Sequence, residues 1–198
     1  MTPVHAYKRG VTHVVGLIHI IFKEPTPSYL YLAVKVYLAS PYGFTDSGRE
    51  FMEEIMVPLI QKASFEVLNP WNYSKDIPYK ISKIQLISDL AKQIELWKDL
   101  NKEIGEINER MIKESTIVVA ILDGIDVDSG VAAEIGYAYA LGKKILGYRS
   151  DFRLTGDNIG AAVNIQVEYF INKSGGHIVR KIPDLIQALE VRKASVDI

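Results

Sequence analysis

Cysteine is absent from all 198 residues, which excludes disulfides, a thiol nucleophile and a thiolate metal site together. Histidine is scarce: His5, His13, His19 and His177 fall in no ligand spacing, so a metal-free chemistry without a cofactor is expected. Charge of one sign is lacking as well. Twenty-three basic residues stand against 24 acidic ones, and a net charge of -1 supplies no basic field for gripping a phosphate backbone. A nucleic-acid polymer is therefore not an expected partner, and neither is a membrane. The apolar run Gly10 to Phe22 has 13 residues, too few to cross a bilayer as a helix. Lys8 and Arg9 precede it as in a signal peptide, but no small-x-small cleavage site follows closely. Residues 1–34 are read as an N-terminal extension that adds a strand, packs on the domain or has no catalytic role, and the protein is expected in the cytoplasm.

What is present begins at residue 35, where short β-type runs alternate with helical periodicity. That alternation is the signature of an α/β domain, here spanning 35–198. VKVYLA reads as a first buried strand, followed by the polar turn SPYGFTDSG. A helix follows with Phe51, Ile55, Leu59 and Ala63 as its apolar stripe, and Pro58 is expected to kink it. FEVL makes a second strand, and NPWNYSKDIPYK, rich in Pro, Asn and aromatics, reads as a long loop. Ile84, Ile87, Ala91, Ile94 and Trp97 then form one helical stripe, which Ile104, Ile107 and Met111 continue, with a break expected at Gly105.

TIVVAIL is the strongest strand signal, a continuous apolar run suited to the centre of a parallel sheet. DGIDVDSG turns from it into the helix VAAEIGYAYALG, closed by Gly142. KKILGY, the amphipathic segment NIQVEYFI, the short strand HIVR and the helix PDLIQALEV complete the chain. The expectation is a doubly wound, flavodoxin-like sheet of five parallel strands with helices on both faces. Ligands of such sheets bind outside the carboxyl ends of the strands, near the switch in strand order. The loops after the first, third and fourth strands should therefore converge on one crevice.

Within that crevice the segment Asp123 to Tyr139 is the most informative. Asp128 is placed to cap the helix that follows it. Glu134 sits about 1.5 turns inside that helix, and Gly130, four residues earlier on the same face, leaves room for a ligand. An ionised carboxylate in such a gap can attack an anomeric carbon as positive charge develops there. The competing reading is an acidic residue that merely offsets the helix macrodipole. Arg149 and Arg153 could suggest a phosphate clamp, but Asp151 and Asp157 beside them point to local pairing.

VYLASPYGF, GREF, N-x-x-x-I-K-E-S, VVAILDG, DSGVAAEIGYAYALGKK and YRSDFR, in this order, resemble the nucleoside 2-deoxyribosyltransferase family over most of the chain. The resemblance implies that Glu134 is the nucleophile, that Tyr37 orients it, and that deoxyribose is held covalently and passed to another base with retention. It places Asp128 and Asn164 on the 5'-hydroxyl, Asn164 reaching in from a neighbouring subunit of a homo-oligomer. The implied partners are small 2'-deoxynucleosides and free nucleobases. Asn108 stands where the family pattern has an aspartate assisting the departing base, and an amide cannot supply that proton. Asp123, Asp126, Asp128 or water is left to deliver it. Ser40, Tyr42, Phe44, Asp123 and Gly130 complete the expected substrate contacts, with Trp71 a further candidate to cover the base. Two rival readings stand beside transfer: hydrolysis of a deoxynucleoside or its 5'-monophosphate, and noncatalytic sensing of a nucleotide-derived ligand.

Overall fold

A computed structural model describes residues 34–72 and 76–196 of the chain. Apart from Val34, the expected N-terminal extension lies outside the described residues. Five strands, β1 (Lys35–Ala39), β2 (Glu66–Leu68), β3 (Ile117–Ile121), β4 (Lys144–Tyr148) and β5 (Ile178–Val179), form one sheet in the order β2-β1-β3-β4-β5. Every pairing is parallel, as expected for this fold class. The chain winds outward from β1 to β2, then crosses back to continue through β3, so the switch in strand order lies between β1 and β3.

Alternation along the strands divides the core into two layers. Val36, Leu38, Ile117, Val119 and Ile121 point to one face, where Met52, Met56 and Ile60 meet Leu185 and Leu189 of α7 (Ile182–Val196). Tyr37, Ala39, Val118, Ala120 and Leu122 point to the other. That second face is covered by α4 (Leu90–Glu114), α5 (Ser129–Ala140) and α6 (Ile165–Lys173). All five residues of β3 are buried, as its unbroken apolar run requires of a central strand covered on both sides.

The first helical segment departs from the expected stripe. It runs as α1 (Asp46–Phe51), a π turn (Met52–Met56) and α2 (Val57–Lys62). Met52, Met56 and Ile60 are fully buried, whereas Ile55 and Leu59 are exposed. Two adjacent apolar rows at spacing four compete here, and the row one residue later faces the sheet. Pro58 lacks an N–H for the helical ladder, and the perturbation it introduces takes the form of the π turn immediately before it.

Two further boundaries are corrected. The stretch read as loop through residue 80 is already helical from Asp76, because α3 (Asp76–Gln85) holds Pro78 in its first turn, where an absent N–H leaves no ladder bond unmade. The helix break falls at residues 86–89 instead of Gly105. There the Asp89 side chain caps α4 by accepting from the Lys92 amide at 3.2 Å. Gly105 sits in open space within a 25-residue helix, which absorbs the roughly 1 kcal/mol penalty of one glycine.

The phase of the first helix is checked by truncation. Met56→Ala should lose on the order of 2–5 kcal/mol of unfolding free energy, read as a lowered denaturant midpoint. Ile55→Ala, on the exposed row, should change it by less than about 1 kcal/mol.

Candidate active site

The helix α5 begins directly beyond the central strand, and its start is fixed by Asp128. One carboxylate oxygen of Asp128 accepts from the amides of Gly130 at 2.9 Å and Val131 at 3.1 Å, two of the donors a helix N-terminus leaves unpaired. Val131, Ile135 and Ala138 anchor the helix on the sheet, which turns Glu134 toward the crevice over β1. Tyr37, fully buried in β1, donates its hydroxyl to Glu134 Oε1 at 2.7 Å. The expected pairing of these two side chains is therefore present across the strand-order switch.

Glu134 does not carry an ordinary carboxyl. Burial pushes its pKa from 4.5 up to about 7, the Tyr37 hydrogen bond works against that rise, and the negative charge of Asp128 adds to it. A carboxylate expected to be fully ionised at neutrality is thus divided between its two forms. Tyr37 is held well above the usual phenol range by burial first and by the adjacent carboxylate second, so it remains a donor.

In front of this pair lies a cavity of ≈ 830 Å³. Of the expected site residues, Ser40, Phe44, Asn108, Asp128, Gly130 and Glu134 line it. Trp71 lines it as well, held by its Nε1–H donating to the Ser40 carbonyl at 2.9 Å and set edge-on to Phe44 at 4.7 Å between ring centroids. The indole crosses directly over Gly43, where a Cβ would lie 1.9 Å from the ring, so the turn between Tyr42 and Phe44 requires glycine. Sequence reasoning missed Arg49, Glu53 and the α3 side chains that also face the cavity. The GRE segment was visible, but the helical start at Asp76 that brings α3 to the site was not.

Three expected contacts sit elsewhere. The Asp123 carboxylate accepts from the Tyr42 hydroxyl at 2.5 Å, the Ser150 hydroxyl at 2.6 Å and the Asp151 amide at 2.8 Å. It thereby ties together the loops after β1, β3 and β4, and both Asp123 and Tyr42 are engaged in that tie instead of lining the cavity. Asn164 caps α6 by accepting from the Gln166 and Val167 amides and does not line this chain's cavity.

The two arginines divide between different tasks. Arg153 pairs with Asp151, as the local reading expected. Arg149 is fully buried and donates to the carbonyls of Leu122, Gly124 and Arg153 and to the Thr155 hydroxyl. It pins the loop after β4 to the end of β3 and offers no phosphate clamp. Asp157 accepts from the Ile165 amide at the start of α6.

A carboxyl tuned by burial and oriented by a buried phenol thus stands at the switch point of a parallel sheet, and comparison with known proteins gives the family. The sequence profile of the nucleoside 2-deoxyribosyltransferases matches residues 36–173, and the chain belongs to that family. A conserved protein from Enterococcus faecalis V583 shares the fold with a TM-score of 0.55 at 22% identity, over 81% of this chain and 99% of that one. The 2-deoxyribosyltransferase of Bacillus psychrosaccharolyticus does so with a TM-score of 0.50 at 20% identity, over 77% and 90%. No curated protein matches the chain in sequence. Among the described residues no helix is long and apolar enough to cross a membrane.

The raised pKa of Glu134 has a measurable consequence for stability. The folded state holds this proton more tightly than the unfolded chain, so the stabilisation is complete below about pH 4.5 and is lost as the pH rises through about 7. The penalty at higher pH is about 3 kcal/mol by linkage. Glu134→Gln should therefore be more stable than the parent at pH 8, by about 1–3 kcal/mol, with the difference shrinking toward pH 5 in paired denaturant titrations.

Proposed function

We propose that the protein transfers 2-deoxyribose between nucleobases through Glu134. The observation that carries this reading is the Tyr37–Glu134 pair at the head of the cavity, 2.7 Å apart, with the second carboxylate oxygen left for substrate. In its ionised form Glu134 Oε2 attacks C1' of a bound 2'-deoxynucleoside. The C1'–N bond breaks, its electron pair leaves with the base, and the sugar is held as an ester of Glu134. A second base then attacks C1' from the vacated face through a ring nitrogen, which loses its proton, and the carboxylate is released. Two displacements on one carbon give net retention.

Asp128 supports the choice of nucleoside over nucleotide. Its carboxylate borders the cavity, where it would accept from a free 5'-hydroxyl and repel a phosphate dianion. Of the three aspartates considered as proton sources for the departing base, Asp128 lines the cavity, Asp123 binds three loop donors, and Asp126 accepts from the Val127 amide at 2.7 Å. Delivery of that proton is assigned to water at the cavity mouth, because Asp128 acts as a carboxylate toward the helix amides and the 5'-hydroxyl. Asn108 contributes hydrogen bonds to the base without supplying a proton. In an oligomer Asn164 would serve a neighbouring subunit's 5'-hydroxyl, consistent with its position outside the cavity of its own chain. The homo-oligomer, the salvage of deoxyribonucleosides and a cytoplasmic setting remain parts of this proposal.

Hydrolysis shares the first half of this scheme, because water arriving second would release the sugar. One reaction separates the two. With 2'-deoxyinosine and free adenine, chromatography should show 2'-deoxyadenosine, and Glu134→Ala should reduce its formation on the order of 10³-fold or more. Hypoxanthine released without any new nucleoside would instead establish the hydrolase. The pH profile supplies a second check: kcat/KM should rise with pH through about 7 as Glu134 ionises in the free enzyme. Tyr37→Phe removes the bond that favours the carboxylate, so it should move this acidic limb to higher pH while lowering the plateau.

A further inference from the structure

The helix α4 is too long for the sheet it packs on. Its 25 residues extend about 37 Å, whereas a five-residue strand such as β3 covers about 17 Å. Its carboxyl-terminal end is anchored by Met111 and Ile112, shortly before the chain enters β3. The opposite end must therefore project beyond the carboxyl ends of the strands. There it runs beside α3, and the two helices make one wall of the Glu134 cavity.

That wall differs chemically from the one it faces. Ile77 and Ile81 of α3 and Ile104 and Ile107 of α4 present branched apolar side chains, while Gln85, Asn101 and Asn108 present neutral amides. The charged side chains of the cavity, Arg49, Glu53, Asp128 and Glu134, come from α1, the π turn and the entry to α5. Arg49 is engaged by Asp46, and Glu53 accepts from Asn72 at 3.1 Å. Along α4, Asn101 lies two turns from Asn108, about 10 Å away along the helix axis. A purine ring is shorter than that stretch. The volume of ≈ 830 Å³ likewise lies near the top of the range for pockets that enclose drug-sized ligands, about 300–1,000 Å³.

Resting on the base-exchange reading above, we infer that the base subsite continues past the ring system into an apolar groove between α3 and α4, and that the enzyme takes nucleobases carrying an apolar exocyclic arm. The ring edge is met by the amide of Asn108. The arm lies between Ile81 and Ile104, where it removes apolar surface from water on both partners. Among the described residues no charged group of α3 or α4 lines this wall, so the arm meets no ion of these helices that its binding would desolvate.

Binding of adenine and of N6-benzyladenine to the full chain, measured by calorimetry without any sugar donor, tests this separately from catalysis. N6-benzyladenine should bind with a Kd at least tenfold lower than adenine. Ile81→Asp, which puts a charge on the groove, should bring the two Kd values within about twofold of each other, and Ile81→Ala should give an intermediate ratio. Equal or weaker binding of the benzyl compound to the parent would overturn the inference, as would a preference that survives both substitutions. A binding preference with no exchange onto adenine would sink the transferase reading and leave the groove in place. Exchange without the preference would do the reverse.

Discussion

The hydrogen bond from Tyr37 to Glu134 is the constraint around which the rest of the site is arranged. It joins a central strand to the helix that follows its neighbour, and it does so across the point where strand order reverses. A carboxyl in this position is desolvated by the same core packing that fixes its donor. Burial and Asp128 push the proton on, while the phenol pulls it off. The three influences leave the group near the midpoint of its titration at neutrality, where a nucleophile is neither fully silenced by protonation nor stabilised into inertness. Fixing the phenol by complete burial also fixes the direction of the free oxygen, so orientation and charge are set by the same few contacts.

Much of this was legible in the sequence because the relevant signals are local. The continuous apolar run of β3, the Asp128 cap and the position of Glu134 within α5 follow from periodicity and capping chemistry over a few residues. Strand order and the pairing with Tyr37 are long-range. The alternation of strands and helices along the whole chain implies the doubly wound sheet, whereas the pairing follows only from the family resemblance. Where two local signals were equally strong, the sequence could not arbitrate. The rows 51-55-59 and 52-56-60 are both apolar, and the π turn before Pro58 presents the second to the sheet.

Asp123 illustrates a different limit. A carboxylate directly after the central strand reads as a ligand group, because sequence shows its chemistry but not its partners. In space its acceptor capacity is used by Tyr42, Ser150 and Asp151. The start of α3 failed for a related reason: a stretch rich in Pro, Asn and aromatics has loop composition, yet a proline in a first helical turn is harmless. The wall that α3 contributes was invisible for as long as that stretch was read as loop.

The tie at Asp123 also determines how the crevice responds to its surroundings. All three donors to this carboxylate are uncharged, two hydroxyls and one backbone amide. Arg149, on the inner side of the same loops, donates through its two terminal nitrogens to carbonyls and a hydroxyl. The loops are thus joined by hydrogen bonds between an ion and a dipole, short in range and little screened by mobile counterions. Salt that weakens the ion pairs on the helix surfaces, and the Arg153–Asp151 pair within the loop after β4, therefore acts on this junction only indirectly.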